Sequence, residues 1–194
     1  MQTHDFTPEK SLELIAEAIA EARSKFEENG LIYLFWGLLI ALATIGQFVL
    51  LKTGHQDINW YPYLLMPLGF AASGIYFSRK GRQKKPNLIE TITAYSWLLL
   101  ALNMLVLGFV FATVLQQFLI PVILILQGIG MFVSGSAIRN KLLTYAGVLV
   151  NISGLVALRV AWVYQPLLAG IVALIAVALP GLLLMIKHRK NRNV

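Results

Sequence analysis

Among the polar side chains within the long apolar stretches of this chain, Asn103, Gln127, Asn151 and Arg159 are the ones that could do chemistry at depth. The three amides fall near the middle of three successive apolar runs, and so at one depth. Amides in lipid bond to neighbouring helices, at about 0.6 kcal/mol each and never more than roughly 2 kcal/mol. Gathered on one side, they would instead line a polar site at the bilayer midplane, where transporters hold their solutes. Asn103, Gln127 and Asn151 are therefore a candidate midplane cluster, with interhelical bonding as the plainer reading. Arg159 is the candidate intramembrane charge, expected about one turn from the outer end of its run. A charge inside a membrane is a functional candidate by default, although the long arginine stem can carry its guanidinium to the headgroups.

The inventory for acid–base chemistry is thin. No Asp, Glu, His or Lys is expected deep in any apolar run, where a proton relay or an intramembrane protease would need one. The histidines are His4, His55 and His188, in the tails or a loop. His55 and Asp57 form a lone H-x-D, better read as solvated loop than as metal ligands. Cysteine is absent, which removes thiolate nucleophiles, disulfides and Cys-based zinc sites. Glycine runs lack the lysine of a nucleotide-binding loop. The expectation is a non-enzyme with no catalytic residues, no metal and no cofactor.

The elements that would position these groups are membrane helices. The chain has 194 residues, 58% of them hydrophobic and 13% charged, against about 45–50% and 25% in soluble domains. Apolar runs lie at roughly 31–51, 60–78, 91–113, 118–138, 142–163 and 166–186. Each has the length of a bilayer-spanning helix, about 30 Å at 1.5 Å per residue. In lipid, backbone groups must bond within the segment, which makes these runs helical. The fold class expected is all-α: six transmembrane helices in three hairpins, preceded by an amphipathic helix within residues 1–30 and followed by a basic tail at 187–194.

Charge orients the spans. Fourteen Lys and Arg lie in the N-terminal segment, the 79–90 loop, the 139–141 turn and the tail; Lys52 and Arg159 alone lie on the other side. That asymmetry places both ends in the cytoplasm, in a bacterial cytoplasmic membrane. Tyr33, Trp36, Tyr76, Tyr95, Trp97 and Tyr145 would form the inner aromatic belt, and Trp60, Tyr61, Tyr63, Trp162 and Tyr164 the outer one. The basic residues act as topology signals rather than as a nucleic-acid surface, so no nucleic-acid partner is expected. The acidic start does not suit a signal peptide.

Seven of the nine Asp and Glu lie in residues 1–28. There Thr7 and Pro8 suit a helix start, and Asn29-Gly30 an end or a hinge. Leu12, Ile15, Ile19, Ala22 and Phe26 recur at spacings of three and four, forming one apolar seam opposite Glu13, Glu17, Glu21 and Glu28. Helices that lie on anionic lipid carry Lys and Arg on their polar face, so the seam is a candidate protein contact. It could meet its own bundle, a second copy or a soluble cytoplasmic protein, its own bundle coming first.

Pro62, Pro121 and Pro166 sit at or near the start of spans 2, 4 and 6, and basic residues close each of those spans. Tyr33, Tyr95 and Tyr145 open spans 1, 3 and 5, so a three-fold hairpin repeat is one reading. Small residues favour close packing: Gly37 with Ala41, Gly69 with Ser73, Gln127-Gly130-Ser134-Ala137, and Gly147-Asn151-Gly154. Pro180 is expected to kink span 6.

The opening SLELIAEAIAEARSKFEENGLIYLFWG and the closing ALPGLLLMIKHRK resemble a group of small uncharacterised bacterial six-helix inner-membrane proteins, with no activity to carry over. The hairpins, with glycine-rich LILQGIGMFVSGSA, resemble in architecture the HdeD type of acid-resistance membrane protein. The functional expectation is a non-enzymatic interaction or regulatory membrane protein; a small-solute transporter or channel is the alternative.

Overall fold

The computed structural model describes residues 8–28, 30–80 and 88–192, and their side chains except at some positions near helix ends. Among the described residues the chain is all-α, with no strand. The helices are α1 (Pro8–Glu28), α2 (Gly30–Lys52), α3 (Leu65–Lys80), α4 (Leu88–Phe109), the single turn α5 (Ala112–Leu115), α6 (Leu119–Ala137), α7 (Lys141–Ala157), α8 (Gln165–Ala173) and α9 (Leu179–Arg192). Thr7, Asn29 and the 81–87 part of the basic loop lie outside the described residues, as do the side chains of Ala22, Phe26 and the tail.

Four helical stretches are long and apolar enough to cross a membrane: Gly30–Lys52, Leu88–Phe109, Ala112–Ala137 and Trp162–Ile186. The other two expected spans take shorter forms. Run 60–78 begins with a 3-10 turn over Tyr61–Leu64, which holds Pro62, and only then becomes α3. Run 142–163 stops being helical at Ala157. There Gln165, a buried side chain, takes over: its Nε2 donates to Ala157 O and Val160 O, each at 3.1 Å. Those bonds satisfy carbonyls that a longer helix would have used internally. Arg159 consequently lies beyond α7, in an exposed turn with its N–H on Val156 O at 2.9 Å, rather than on the helix of its run.

Two pairs of helices hold the centre, and neither is the first hairpin of the chain. Along α2 and α8–α9, residues come together in antiparallel order. A Cβ added at Gly37 would lie 2.3 Å from Ala178 N, and one at Gly30 2.8 Å from Gly181 O. Along α6 and α7, a Cβ at Gly147 would lie 2.3 Å from Phe132 N, and one at Gly128 2.5 Å from Asn151 N. Backbone therefore rests on backbone in both pairs. The buried side chains Leu124, Met131, Leu143, Val150, Ala169, Val172 and Val177 fill the space between α6, α7 and α8–α9. The α3 helix packs outside α2, α4 packs outside α6, and α1 lies against α9, α4 and α2.

Local chemistry sets the turns. At the α6–α7 turn, Asn140 N–H bonds Gly135 O at 2.8 Å and Arg139 N–H bonds Ser136 O at 3.2 Å. This is the double closure of a Schellman motif, with Arg139 in the left-handed region at φ 52° where glycine is usual. Asn140 then caps α7, its Oδ1 accepting from Leu143 N–H at 3.2 Å. Between α8 and α9 one π-turn spans Leu174–Ala178, with Leu179 N–H reaching back to Leu174 O. Pro180 explains it: proline has no N–H for Ala176 O, and its ring crowds that carbonyl.

Close backbone contact makes a strong prediction. Gly37→Ala and Gly147→Ala must push a neighbouring helix away, a cost of about 1–3 kcal/mol. Gly74 and Gly108 have open space where a Cβ would go. Thermal melting in mild detergent should show lower midpoints for the first two variants and unchanged midpoints for Gly74→Ala and Gly108→Ala.

Candidate functional site

The three amides expected at the midplane take different directions. Asn103 is exposed on the outside of α4, with Nδ2 donating to Leu99 O of its own helix at 2.8 Å. Asn151 reaches across the α6–α7 contact, its Nδ2 donating to Ile125 O at 3.3 Å. This is interhelical bonding, and the Gly147-Asn151-Gly154 face does meet α6. Gln127 borders a small central cavity with Ile40, Leu124, Val150, Ala169, Val172 and Val177. The space open to the centre of a water-sized sphere there is about 10 Å³, room for one water. Asn103 faces away from this cavity and does not join a site with the other two.

A different polar arrangement recurs instead. Trp36 Nε1 donates to Ser73 Oγ at 3.0 Å, and Ser73 Oγ donates to Gly69 O at 2.8 Å. Trp97 Nε1 donates to Ser134 Oγ at 2.8 Å, and Ser134 Oγ donates to Gly130 O at 2.8 Å. Gly69 gives room to the ring of Trp36 and to Leu39; Gly130 gives it to the ring of Trp97 and to Leu100. Every member of the second set lies 61 positions after its counterpart. The pair α2 with α3 and the pair α4 with α6 are thus each closed by a Trp–Ser–Gly latch of the same geometry. The two tryptophans expected in the aromatic belt are turned onto neighbouring helices, because an indole N–H in a dry setting must find an acceptor. The signal was present in sequence as Gly-x-x-x-Ser-Gly at 69–74 and 130–135. The third helix pair, α7 with α8–α9, has no tryptophan at the matching place.

Near the C-terminal end of α2, Gln47 joins the α2–α3 connection. Its Nε2 donates to Asn59 Oδ1 at 3.0 Å, and its Oε1 accepts from Tyr63 OH at 2.8 Å. Sequence reading passed over Gln47, because one amide near a span end has no visible partner. Lys52 Nζ donates to Tyr164 OH at 2.9 Å and lies 4.2 Å from the Tyr164 ring centroid. Among the described residues no group of three or more His, Asp or Glu is placed to hold a metal ion. His55 Nδ1 is 3.0 Å from Thr53 Oγ1.

The seam of α1 is used unevenly. Ile19 is half-buried, together with Ala18 and Glu21, where α1 meets the bundle. Leu12 and Ile15 are 68% and 54% exposed, and Leu14 beside them 47%. The covered face is rotated toward Ala18 and Glu21, so the first two seam residues stand free of the bundle.

Comparison with protein-family models, with curated proteins and with solved structures finds no match for this chain.

The latches give a direct test. Ser73→Ala and Ser134→Ala each leave an indole N–H without its acceptor, at an expected cost of about 1 kcal/mol. In a double-mutant cycle, Trp97→Phe with Ser134→Ala should then show coupling of similar size by detergent or urea unfolding. Additive effects would mean that the indole bond contributes nothing.

Proposed function

We propose that this chain is a six-span membrane protein of the bacterial cytoplasmic membrane, with both termini inside, that acts by docking a soluble cytoplasmic protein on α1. The observation carrying this reading is the free half of α1. Leu12, Leu14 and Ile15 are exposed while the rest of the helix is anchored on α9, α4 and α2. Exposed Glu13 and Glu17 flank them. An acidic flank opposes binding to anionic lipid and suits an apolar groove with a basic rim. A solute-transport reading draws less support, since the cavity beside Gln127 has room for about one water and Asn103 is turned away from it.

Six spans follow from adding α3 and α7 to the four longer stretches. With the turn before it, α3 continues a helical path from Tyr61 to Lys80, and α7 covers 17 residues, about 25 Å. The cysteine-free sequence makes topology measurable with single cysteines. With six spans, Gln117→Cys reacts with an impermeant maleimide in intact cells and Lys141→Cys reacts only after lysis. With four spans, the two results exchange.

The docking reading is tested with a photo-crosslinking residue at position 15 of the full chain. A discrete soluble cytoplasmic protein should be captured in cells. Leu12→Asp in the same chain should lower that capture at least tenfold, roughly 1.4 kcal/mol, while the melting midpoint holds. Crosslinks confined to lipid or to the chain itself would refute it.

A further inference from the structure

We propose that α4 is the contact between two copies of this chain, paired about a two-fold axis beside Asn103. Among the described residues α4 contains none that is buried. One side is held to α6 by the Trp97 latch and by Leu100 over Gly130. The side turned away carries Ile92, Leu99, Asn103 and Val106, and Val110 just past the helix end continues the line, all exposed. Their spacing keeps them on one stripe of the helix, the pattern of a helix–helix seam. No Asp, Glu, Lys or Arg lies between 91 and 113.

Asparagine is the odd member of that stripe. Its bond to Leu99 O uses one N–H; the second N–H and the Oδ1 acceptor face out of the bundle, where hydrocarbon offers them no partner. The other latched helix pair supplies an internal comparison. Sixty-one positions earlier, Leu31, Leu38, Leu42, Ile45 and Val49 occupy the same stripe of α2; all but Ile45, which packs beside Gly170, are exposed to a similar degree. That stripe is wholly apolar, as lipid requires, with Leu42 in the place of Asn103.

A second copy is the occupant that the chemistry selects. An amide is donor and acceptor at once, so two copies of Asn103 satisfy each other across a two-fold axis. A single asparagine in an apolar seam also fixes register and pairing. The inference rests on α4 lying in the bilayer, which the six-span and four-span arrangements both require, and it is independent of docking on α1.

The test uses the full chain in native membranes, with Leu99→Cys, Val106→Cys or Leu38→Cys as the sole cysteine and copper phenanthroline as oxidant. Leu99→Cys and Val106→Cys should give a dimer-sized band at least several-fold stronger than Leu38→Cys. Adding Asn103→Leu should weaken the band roughly tenfold, whereas Asn103→Gln, which keeps donor and acceptor, should retain it. Labelling of Leu99→Cys by a water-soluble maleimide would show that α4 is outside the bilayer, a failure of the membrane placement. With that placement intact, equal bands from both helices, no band, a band containing a different protein, or a band indifferent to Asn103→Leu would overturn the pairing.

Discussion

Backbone against backbone is the contact on which this structure depends. Lipid tails are as apolar as leucine, so burial gives membrane helices little reason to associate. What remains is the fit of close surfaces and the bonds between them. Gly30, Gly37 and Gly181 bring α2 onto α8–α9, and Gly128, Gly135, Gly147 and Gly154 bring α6 onto α7. Each glycine removes the one atom that would hold the axes apart. The same contacts decide which helices are central. Helices α3 and α4 lack such a stripe against their neighbours, and they end up outside.

The outer helices are held by the Trp–Ser–Gly latches instead. In each latch a large flat ring fills the gap that close packing would otherwise have closed, and its N–H is satisfied by a hydroxyl that is itself bonded to the helix backbone. A bond in a dry setting is costly to leave unmade, so a latch fixes rotation of its helix as well as position. The rotation of α4 follows from it: with Trp97 and Leu100 on α6, the residues around Leu99 and Asn103 must point outward.

Much of the architecture was legible in the residues, and the losses have physical reasons. Run lengths and the first-turn positions of Pro121 and Pro166 report properties of single helices, and they reappear in α6 and α8. Depth along a helix is equally legible, which is why three amides stood out together. Direction around the helix is set by partners, and partners are not given by chain order: α2 packs most closely with α8–α9, from the far end of the chain. Asn103 and Asn151 therefore look alike in sequence and differ in space. Arg159 falls past the end of its helix for a related reason. The apolar run continues past Ala157, but the helix does not, and Gln165 eight residues later takes the last carbonyls. In α1 the heptad spacing identified an apolar seam, whereas contact with the bundle turned the helix so that, of the seam side chains described, Ile19 alone is partly covered.

The two latched pairs enter the bundle by opposite members. Both have the same latch, which satisfies an indole N–H facing a dry neighbour. What surrounds the latch differs. The tryptophan helix α2 has glycine at 37 and is central; 61 positions later, at 98, α4 has leucine, which leaves it unable to accept a backbone neighbour as closely. In the second pair the serine helix α6 carries Gly128 and Gly135 and is central through its contact with α7. The helix left outermost in the second pair, α4, is the one that carries Asn103 on its open face.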